Sequence, residues 1–336
     1  MKIIKLLVLY IIIFFSNLIV NAQKSDDFYL QKAGFTKTVL KTKNDTIVFL
    51  TSVSNSNNAK PTILFVQGSL PLPVIFYDQE SANSTIPFSI KEYINKFNFV
   101  IVARKGIPLI GSYDRDSQGY VNEKAEIPKE YTQNNNLYYR VSQVKSVLNY
   151  LHKDKRVKKD SIFVIGHSEG YRVAARLAED NKKITKLVCM SADPFNRISE
   201  SIMRERIKSF ETKNDTSNQL EINELINDYK NIPSSKIKYK TNIGFNNWLS
   251  YNENLSYESL RKFKKPLLIV YGTADIGSIH NDLIPFLLSG NNVNLKAYPN
   301  YGHNYEKKEF DVNGKPTEDS YHWDEVFKDV INWLTS

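Results

Sequence analysis

Short apolar runs separated by turn-forming residues recur along the chain and predict eight β-strands. The first two runs flank Asn44-Asp45, which is a hairpin signal. From Thr62 onward the runs are apolar throughout, as expected for strands that are covered on both faces. The predicted strands are Thr36–Leu40, Ile47–Val53, Thr62–Val66, Phe99–Ala103, Ser161–Ile165, Lys186–Met190, Pro266–Tyr271 and Val293–Tyr298.

The segments between several of these strands have apolar residues at the spacing of an α-helix. For example, Val141, Val144 and Leu148 fall on one face of a helix. The predicted helices are Tyr138–Leu151, Glu169–Asp180, Ser278–Leu288 and Tyr321–Leu334. The alternation of strands and helices predicts an α/β fold with a doubly wound, mostly parallel eight-stranded sheet that begins with an antiparallel hairpin.

One long segment interrupts the alternation, between the sixth and seventh strands. Residues 194–262 contain no strand pattern, whereas Ile222, Leu225, Ile226 and Tyr229 form a helical stripe. We predict a helical cap over residues 194–262, inserted into a core formed by residues 23–193 and 263–336. Such an insertion starts at the carboxyl edge of the sheet, where ligands bind in open α/β folds. Trp248, in an aromatic cluster of the cap, is expected to line a substrate pocket.

The N-terminus follows the pattern of a secretory signal peptide over residues 1–22. Lys2 and Lys5 precede an apolar run from Leu6 to Val20, and Asn21-Ala22 follows it. This predicts a secreted or periplasmic protein with no stable membrane insertion after cleavage. An uncleaved anchor is the alternative, but the apolar run is shorter than the roughly 20 residues that a spanning helix needs.

Composition and charge narrow the classes of partner. The chain has 336 residues and a net charge of +9, with basic residues scattered over many segments. No nucleic-acid-binding motif accompanies this charge, so no nucleic-acid partner is expected. The single cysteine, Cys189, lies in an apolar run and cannot form an internal disulfide bond. No cluster of histidines is spaced as metal ligands, so the sequence implies neither a metal ion nor another cofactor.

The sequence Gly166-His167-Ser168-Glu169-Gly170 lies between a predicted strand and a predicted helix. This strand–turn–helix setting is the one in which Gly-x-Ser-x-Gly exposes a nucleophilic serine on a sharp turn. The start of the following helix offers free N–H groups to a developing oxyanion. Ser168 is therefore the candidate nucleophile.

A serine nucleophile requires a base, an acid that orients the base, and oxyanion donors. His303 follows the last strand and is the favoured base, with His322 as the fallback. Asp275, in a Gly-Thr-Ala-Asp turn after a strand, is favoured as the acid over Asp193, which also follows a strand. The predicted oxyanion donors are the backbone N–H groups of Glu169 and of Ser69, with Gly68 as the alternative to Ser69.

With these motifs in this order, the chain resembles the α/β-hydrolase superfamily over about residues 34–336. The resemblance implies a serine hydrolase that needs no cofactor, but it does not specify the substrate. Many relatives carry His-Gly at the oxyanion loop, whereas this chain has Gln67-Gly68. Arg104 and Lys105 stand where relatives often have an Asp-x-Arg-Gly turn, and they face either the pocket or a structural ion pair.

Three functions are compatible with the sequence. The favoured one is a carboxylesterase that acts on a small acyl substrate through an acyl-enzyme. The second is an aminopeptidase-like enzyme acting on short peptides, in which Glu169, Glu200 or Asp228 recognises the free amine of the substrate. The third is a non-catalytic binding module, which the complete set of Ser168, Asp275 and His303 disfavours.

Overall fold

A computed structural model describes residues 25–336 except 55–57, 79, 113–118, 213–214, 232–242, 308, 314, 316 and 318. The predicted signal peptide lies outside the described residues. Within these ranges, no helix is both long enough and apolar enough to cross a membrane.

The elements, in chain order, are α1 Asp26–Lys32, β1 Phe35–Lys41, β2 Thr46–Ser52, β3 Lys60–Val66, β4 Ile75–Tyr77, β5 Ala82–Ser84, β6 Asn98–Val102, β7 Ile110–Ser112, α2 Lys129–Asn134, α3 Leu137–Leu151, β8 Val157–His167, α4 Glu169–Ala178, β9 Lys186–Met190, α5 Arg197–Thr212, α6 Asp215–Asn231, α7 Ile243–Asn252, α8 Ser256–Lys262, β10 Leu267–Gly272, a 3-10 helix Ile276–Leu283, α9 Ile284–Leu287, β11 Val293–Tyr298, β12 Glu306–Lys307, β13 Ser320–Tyr321 and α10 Trp323–Thr335.

Eight strands form the main sheet, in the order β1-β2-β6-β3-β8-β9-β10-β11. Strand β2 is antiparallel to both of its neighbours, and the pairs from β6 to β11 are parallel. Each of the eight predicted strands overlaps one of these strands, so the predicted doubly wound, mostly parallel sheet is confirmed. The carboxyl ends of β3, β8, β10 and β11 consequently meet at one edge.

Apolar side chains cover both faces of this sheet, which explains why its central strands are apolar throughout. On one face, Val144 of α3 and Val173 of α4 belong to the same buried cluster as Leu64. On the other, Phe327 of α10 shares a cluster with Ile165. Each such buried side chain stabilises the fold by about 1.5–3 kcal/mol. The helices therefore cover the faces and leave the carboxyl edge free to carry chemistry.

The structure contains short elements that were not predicted, and one predicted helix begins at a different residue. Strands β4, β5 and β7 form a small additional sheet that the apolar pattern did not predict, because each has only three residues. The helix predicted over Ser278–Leu288 begins earlier, at Ile276, and its first part is a 3-10 helix. The side chain of Asp275 accepts a hydrogen bond from the N–H of Gly277 at 3.1 Å and so caps this early start.

The segment between β9 and β10 contains helices α5 to α8 in its described part. The predicted cap over residues 194–262 includes residues 213–214 and 232–242, which lie outside the described residues. Helix α5 packs on the turn that follows β10, because a Cβ atom at Gly277 would lie 2.7 Å from both Glu200 and Arg204. Side chains of this inserted segment thus reach the carboxyl edge of the sheet next to Asp275.

Candidate active site

Ser168 lies on a strained turn between β8 and α4. Its φ of 57° and ψ of −123° place a non-glycine residue in a region that costs about 1–3 kcal/mol. The flanking glycines are required by close packing: a Cβ atom at Gly166 would lie 2.1 Å from the carbonyl oxygen of Gly170. A Cβ atom at Gly170 would lie 1.9 Å from the carbonyl oxygen of Val66. The surrounding core therefore holds the turn and presents Ser168 at the carboxyl edge.

The structure brings Ser168, His303 and Asp275 together from three different loops. The Nε2 atom of His303 lies 2.9 Å from the Oγ atom of Ser168, and its Nδ1 atom lies 2.9 Å from Oδ2 of Asp275. The Oδ2 atom of Asp275 also accepts a hydrogen bond from Ser278 at 2.5 Å. Asp275 is almost fully buried. The hydrogen bond between Asp275 and Nδ1 of His303 orients the imidazole so that Nε2 can accept the proton of Ser168.

The alternative acid and the fallback base are engaged elsewhere. Asp193 contacts Nδ1 of His280 at 2.6 Å and accepts a hydrogen bond from the N–H of Phe195 at 2.7 Å. Nδ1 of His322 lies 3.2 Å from Glu325. The buried Asp193 and the partly exposed His280 thus form a second acid–histidine pair that is separate from Ser168.

His167 has a positioning function that the sequence analysis did not assign. Its Nε2 lies 3.0 Å from the backbone carbonyl of His303 and must donate, because a carbonyl oxygen only accepts. Burial and the neighbouring His303 lower the pKa of His167 to about 3, so the ring is neutral and carries its proton on Nε2. Its ring also packs edge-on against Trp323. His167, at a variable position of the motif, thus fixes the loop that carries His303.

The predicted oxyanion donors lie beside Ser168. Gly68 is so close that a Cβ atom there would be 3.4 Å from Cβ of Ser168 and 3.7 Å from its Oγ. The backbone carbonyl of Ser69 accepts hydrogen bonds from Tyr131 at 2.5 Å and from Arg104 at 3.3 Å. Glu169 begins helix α4, so its N–H group belongs to the first turn, where N–H groups have no partner inside the helix.

The side chain of Glu169 lies at the centre of a buried cluster of arginines. Arg140 donates to Oε1 of Glu169 at 2.6 Å, Arg197 donates to Oε2, and Arg104 lies 3.6 Å away. Burial by itself raises the pKa of Glu169, but the charges of Arg197, Arg140 and Arg104 outweigh it and hold the pKa at about 2. Glu169 is therefore ionised at neutral pH.

The same cluster fixes the loop that follows β3. Arg140 also donates to the carbonyl oxygen of Gln67 at 2.6 Å. In a trans peptide the C=O and N–H groups point in opposite directions, so this bond turns the N–H of Gly68 away from the arginine. Arg104, one of two residues for which a pocket or an ion pair was expected, is part of the ion-pair cluster. Lys105 is paired with Asp45 at 2.8 Å.

Replacing Glu169 with Gln is expected to lower the free energy of unfolding by about 3–5 kcal/mol, because three arginines would lose a buried partner. The backbone N–H of residue 169 would remain in place. Urea unfolding of the variant, beside Glu224→Gln on the exposed surface of α6 as a control, measures the difference. Equal stability of the two variants would contradict a central position for this carboxylate.

Two cavities in the described part of the chain meet at Ser168 and His303. The first, of about 370 Å³, is mainly apolar and is lined by Phe65, Leu70, Leu72, Pro87 and Trp323, besides Gln67, Gly68, Ser69, Thr85, His167 and Asn304. The second, of about 260 Å³, is lined by charged and small side chains, several from α5. Ser69 lines both cavities, which places it next to the nucleophile.

Trp248 was predicted to line the substrate pocket, and the structure places it elsewhere. Among the described residues it packs against Ile198, Ile202 and Leu249, and it is not part of the lining of either cavity. Trp248 and Leu249 of α7 pack with Ile198 and Ile202 of α5 and so join these two inserted helices. The residues of the insertion that line a cavity with Ser168 are consequently polar.

Among the described residues, no group of three or more His, Cys, Asp or Glu side chains is arranged to hold a metal ion.

Comparison with known proteins agrees with this architecture. A family profile described as "BAAT / Acyl-CoA thioester hydrolase C terminal" matches residues 143–257, about a third of the chain. This region includes Ser168 but neither Asp275 nor His303. No curated protein sequence matches the chain.

Three solved structures illustrate the similarity in fold. Est1E from Butyrivibrio proteoclasticus is 12% identical, with a TM-score of 0.52 over 89% of this chain and 97% of the other. A putative dienelactone hydrolase from Klebsiella pneumoniae is 11% identical, with a TM-score of 0.51 over 90% and 98%. The acylaminoacyl peptidase of Pyrococcus horikoshii is 11% identical, with a TM-score of 0.53 over 93% of this chain but only 43% of the other. The protein therefore has the α/β-hydrolase fold.

Proposed function

We propose that this protein is a serine hydrolase that cleaves a carboxylic ester through an acyl-enzyme. The observation that carries the proposal is the chain of contacts from Ser168 through His303 to Asp275, with Ser168 on a strained turn at the meeting point of two cavities. A half-buried hydroxyl in an ordinary loop would need neither the strained backbone nor a histidine that is itself held by a buried carboxylate.

In the proposed mechanism, His303 takes the proton of Ser168 while the Oγ atom attacks the acyl carbonyl. Asp275 stabilises the imidazolium that forms. The backbone N–H groups of Glu169 and of Ser69 or Gly68 stabilise the oxyanion. His303 then donates its proton to the leaving alcohol, and water cleaves the acyl-enzyme by the same steps.

The charge of the site favours an ester over the free amino terminus of a peptide. Recognition of an amine requires an uncompensated carboxylate near Ser168. Glu169 is bound by three arginines, and Glu200 is paired with Arg172 at 3.1 Å and with Arg204 at 3.0 Å. Glu169 and Glu200 are thus already neutralised, and Asp228, the third candidate acid, is exposed on α6 and lines neither cavity beside Ser168. For the location of the enzyme, the N-terminal pattern supports a secreted or periplasmic protein.

A direct test is to treat the mature protein with a fluorophosphonate probe and to assay short acyl esters and aminoacyl amides in parallel. We expect labelling at Ser168 and faster turnover of the esters. An acyl-CoA thioester belongs in the same panel, because the matching family profile names thioester hydrolysis. Faster cleavage of the aminoacyl amides would favour the peptidase, and absence of labelling would favour a non-catalytic protein.

The pH dependence of kcat/KM is expected to show an acid limb above the ordinary histidine pKa of 6.5. Burial alone would lower the pKa of His303, but the hydrogen bond and charge of Asp275 outweigh it and raise the pKa. Because only the neutral imidazole accepts the proton of Ser168, activity is lost as the pH falls through this raised pKa. The pH dependence of kcat/KM for a neutral ester measures this pKa. An acid limb with its midpoint clearly below pH 6.5 would contradict the assignment of His303 as the base.

A further inference from the structure

The second cavity beside Ser168 has an unusual charge for a site that binds an ester. It has a volume of about 260 Å³ and is lined by Arg172, Arg197 and Arg204, with Ser69, Ser168, Glu169, Ala192, Glu200, Ser201 and His303. Two of these arginines lie on helix α5 of the inserted segment, and Arg172 lies on α4, one turn after the nucleophile. Three arginines therefore line a cavity that Ser168 also lines.

The arginines outnumber the carboxylates that compensate them. Within the described residues, two groups of ion pairs lie here: Glu169 pairs with three arginines, and Glu200 pairs with two more, one of which also lies near Asp275. The arginines are Arg104, Arg140, Arg172, Arg197 and Arg204. Five positive charges against three negative ones leave an excess of positive charge. Glu169 is the most heavily shared of the carboxylates, since it serves three arginines at once.

Part of the hydrogen-bonding capacity of these arginines is unused. The side chain of Arg172 is only 4% exposed, and its Nε atom has no hydrogen-bond partner among the described residues. Arg197 and Arg204 line the cavity and have 32% and 46% of their side-chain surface accessible. The accessible surfaces of Arg197 and Arg204 are therefore the parts of this cluster that a ligand in the cavity can reach.

The arginines are also held in place before any ligand arrives. The guanidinium of Arg197 lies 4.5 Å from the ring centre of Tyr251. Glu200 holds Arg172 on one side and Arg204 on the other. A planar guanidinium fixed in this way binds a carboxylate through two parallel hydrogen bonds with little loss of conformational entropy.

We propose that this cavity is a subsite for a carboxylate group of the substrate, so that the enzyme acts on esters that carry a carboxylate a few bonds from the scissile carbonyl. The inference rests on the proposed ester hydrolysis at Ser168. The mainly apolar cavity, which also borders Ser168, then takes the uncharged part of the substrate. The short distance is required because the same cavity is lined by Ser168, His303 and the arginines.

Two pairs of substrates test the proposal and locate the carboxylate. Mono-4-nitrophenyl glutarate and its methyl ester differ only in a charge on the acyl side. The 4-acetoxybenzoate ion and its methyl ester differ only in a charge on the leaving group. In one of the pairs, kcat/KM is expected to be roughly tenfold to a hundredfold higher for the charged member, since a hydrogen bond to a charged group has that effect. Equal or faster cleavage of the neutral member in both pairs would overturn the proposal.

Variants of the cavity wall connect the preference to the arginines. In Arg197→Met and in Arg204→Gln, the ratio of kcat/KM for charged and neutral substrates is expected to fall roughly tenfold. The ratio is measured at a pH where His303 is neutral, because Arg204 also lies 3.7 Å from Asp275. Arg206→Met is the matched control: Arg206 is on the same helix but pairs with Asp215 at 3.1 Å. An unchanged ratio in both wall variants, or an equal fall in the control, would contradict the subsite.

A binding measurement separates this proposal from the proposed function. Glutarate, but not dimethyl glutarate, is expected to raise the melting temperature of the wild type, and less so of Arg197→Met. If neutral esters are cleaved and glutarate neither binds nor improves a substrate, ester hydrolysis stands and the subsite is wrong. If no ester is cleaved but glutarate binding depends on the arginines, the subsite stands and the proposed function is wrong.

Discussion

Replacing Ser168 with Ala is expected to reduce kcat/KM for a good ester by roughly a thousandfold or more. The change removes the Oγ atom that lies 2.9 Å from Nε2 of His303 and leaves the rest of the turn intact. Alanine keeps the same positive φ as serine, so the strain of the turn and the free energy of unfolding should change little. Steady-state kinetics and urea unfolding of the same preparation measure both quantities.

The control for this variant is Ser142→Ala, which removes a hydroxyl from an exposed position on helix α3. It should keep wild-type kinetics. If Ser168→Ala retained more than a tenth of the wild-type activity, Ser168 would not be the nucleophile. If it lost activity together with stability, the loss would reflect unfolding, and labelling of the wild type by the fluorophosphonate would decide the role of the serine.

The fold could be predicted because its signals are local. Each central strand is an apolar run that ends in a turn, and the side chains of Ser168, Asp275 and His303 each follow such a run. Parallel strands bring their carboxyl ends to one edge, so three residues that are distant in sequence were expected to meet there. The strands β4, β5 and β7 escaped prediction because three residues are too few to establish a period.

The charged surroundings of the site could not be predicted in the same way. Arg104 follows β6, Arg140 lies on α3, and Arg197 begins α5, yet all three meet at Glu169. No local pattern marks an arginine as buried, because its partner comes from another segment of the chain. The aromatic cluster in the inserted segment suggested an apolar wall for the substrate pocket, and Trp248 was expected to be part of that wall. In the structure, Trp248 and Leu249 pack with residues of α5, whereas Arg197 and Arg204 line a cavity together with Ser168.

The second large effect on kcat is expected from replacing the acid that orients the catalytic histidine, for which two buried residues are candidates. Asp275 and Asp193 both follow strands of the sheet, and each contacts a histidine, at 2.9 Å for His303 and 2.6 Å for His280. The two pairs are therefore a matched comparison within one protein. The only difference that matters for catalysis is that His303 also contacts Ser168, whereas His280 belongs to the separate pair.

Asp275→Asn is expected to lower kcat by roughly ten-thousandfold, because the amide cannot stabilise the imidazolium and favours the wrong tautomer of His303. Asp193→Asn disrupts an equally buried pair, so we expect it to lower the free energy of unfolding but to reduce kcat far less. The pH profile adds an independent readout: loss of the Asp275 charge removes the interaction that raises the pKa of His303, so the acid limb should move to lower pH only in the Asp275 variant. A larger loss of kcat in Asp193→Asn, or a shift of the acid limb in that variant alone, would move the catalytic acid to the end of β9.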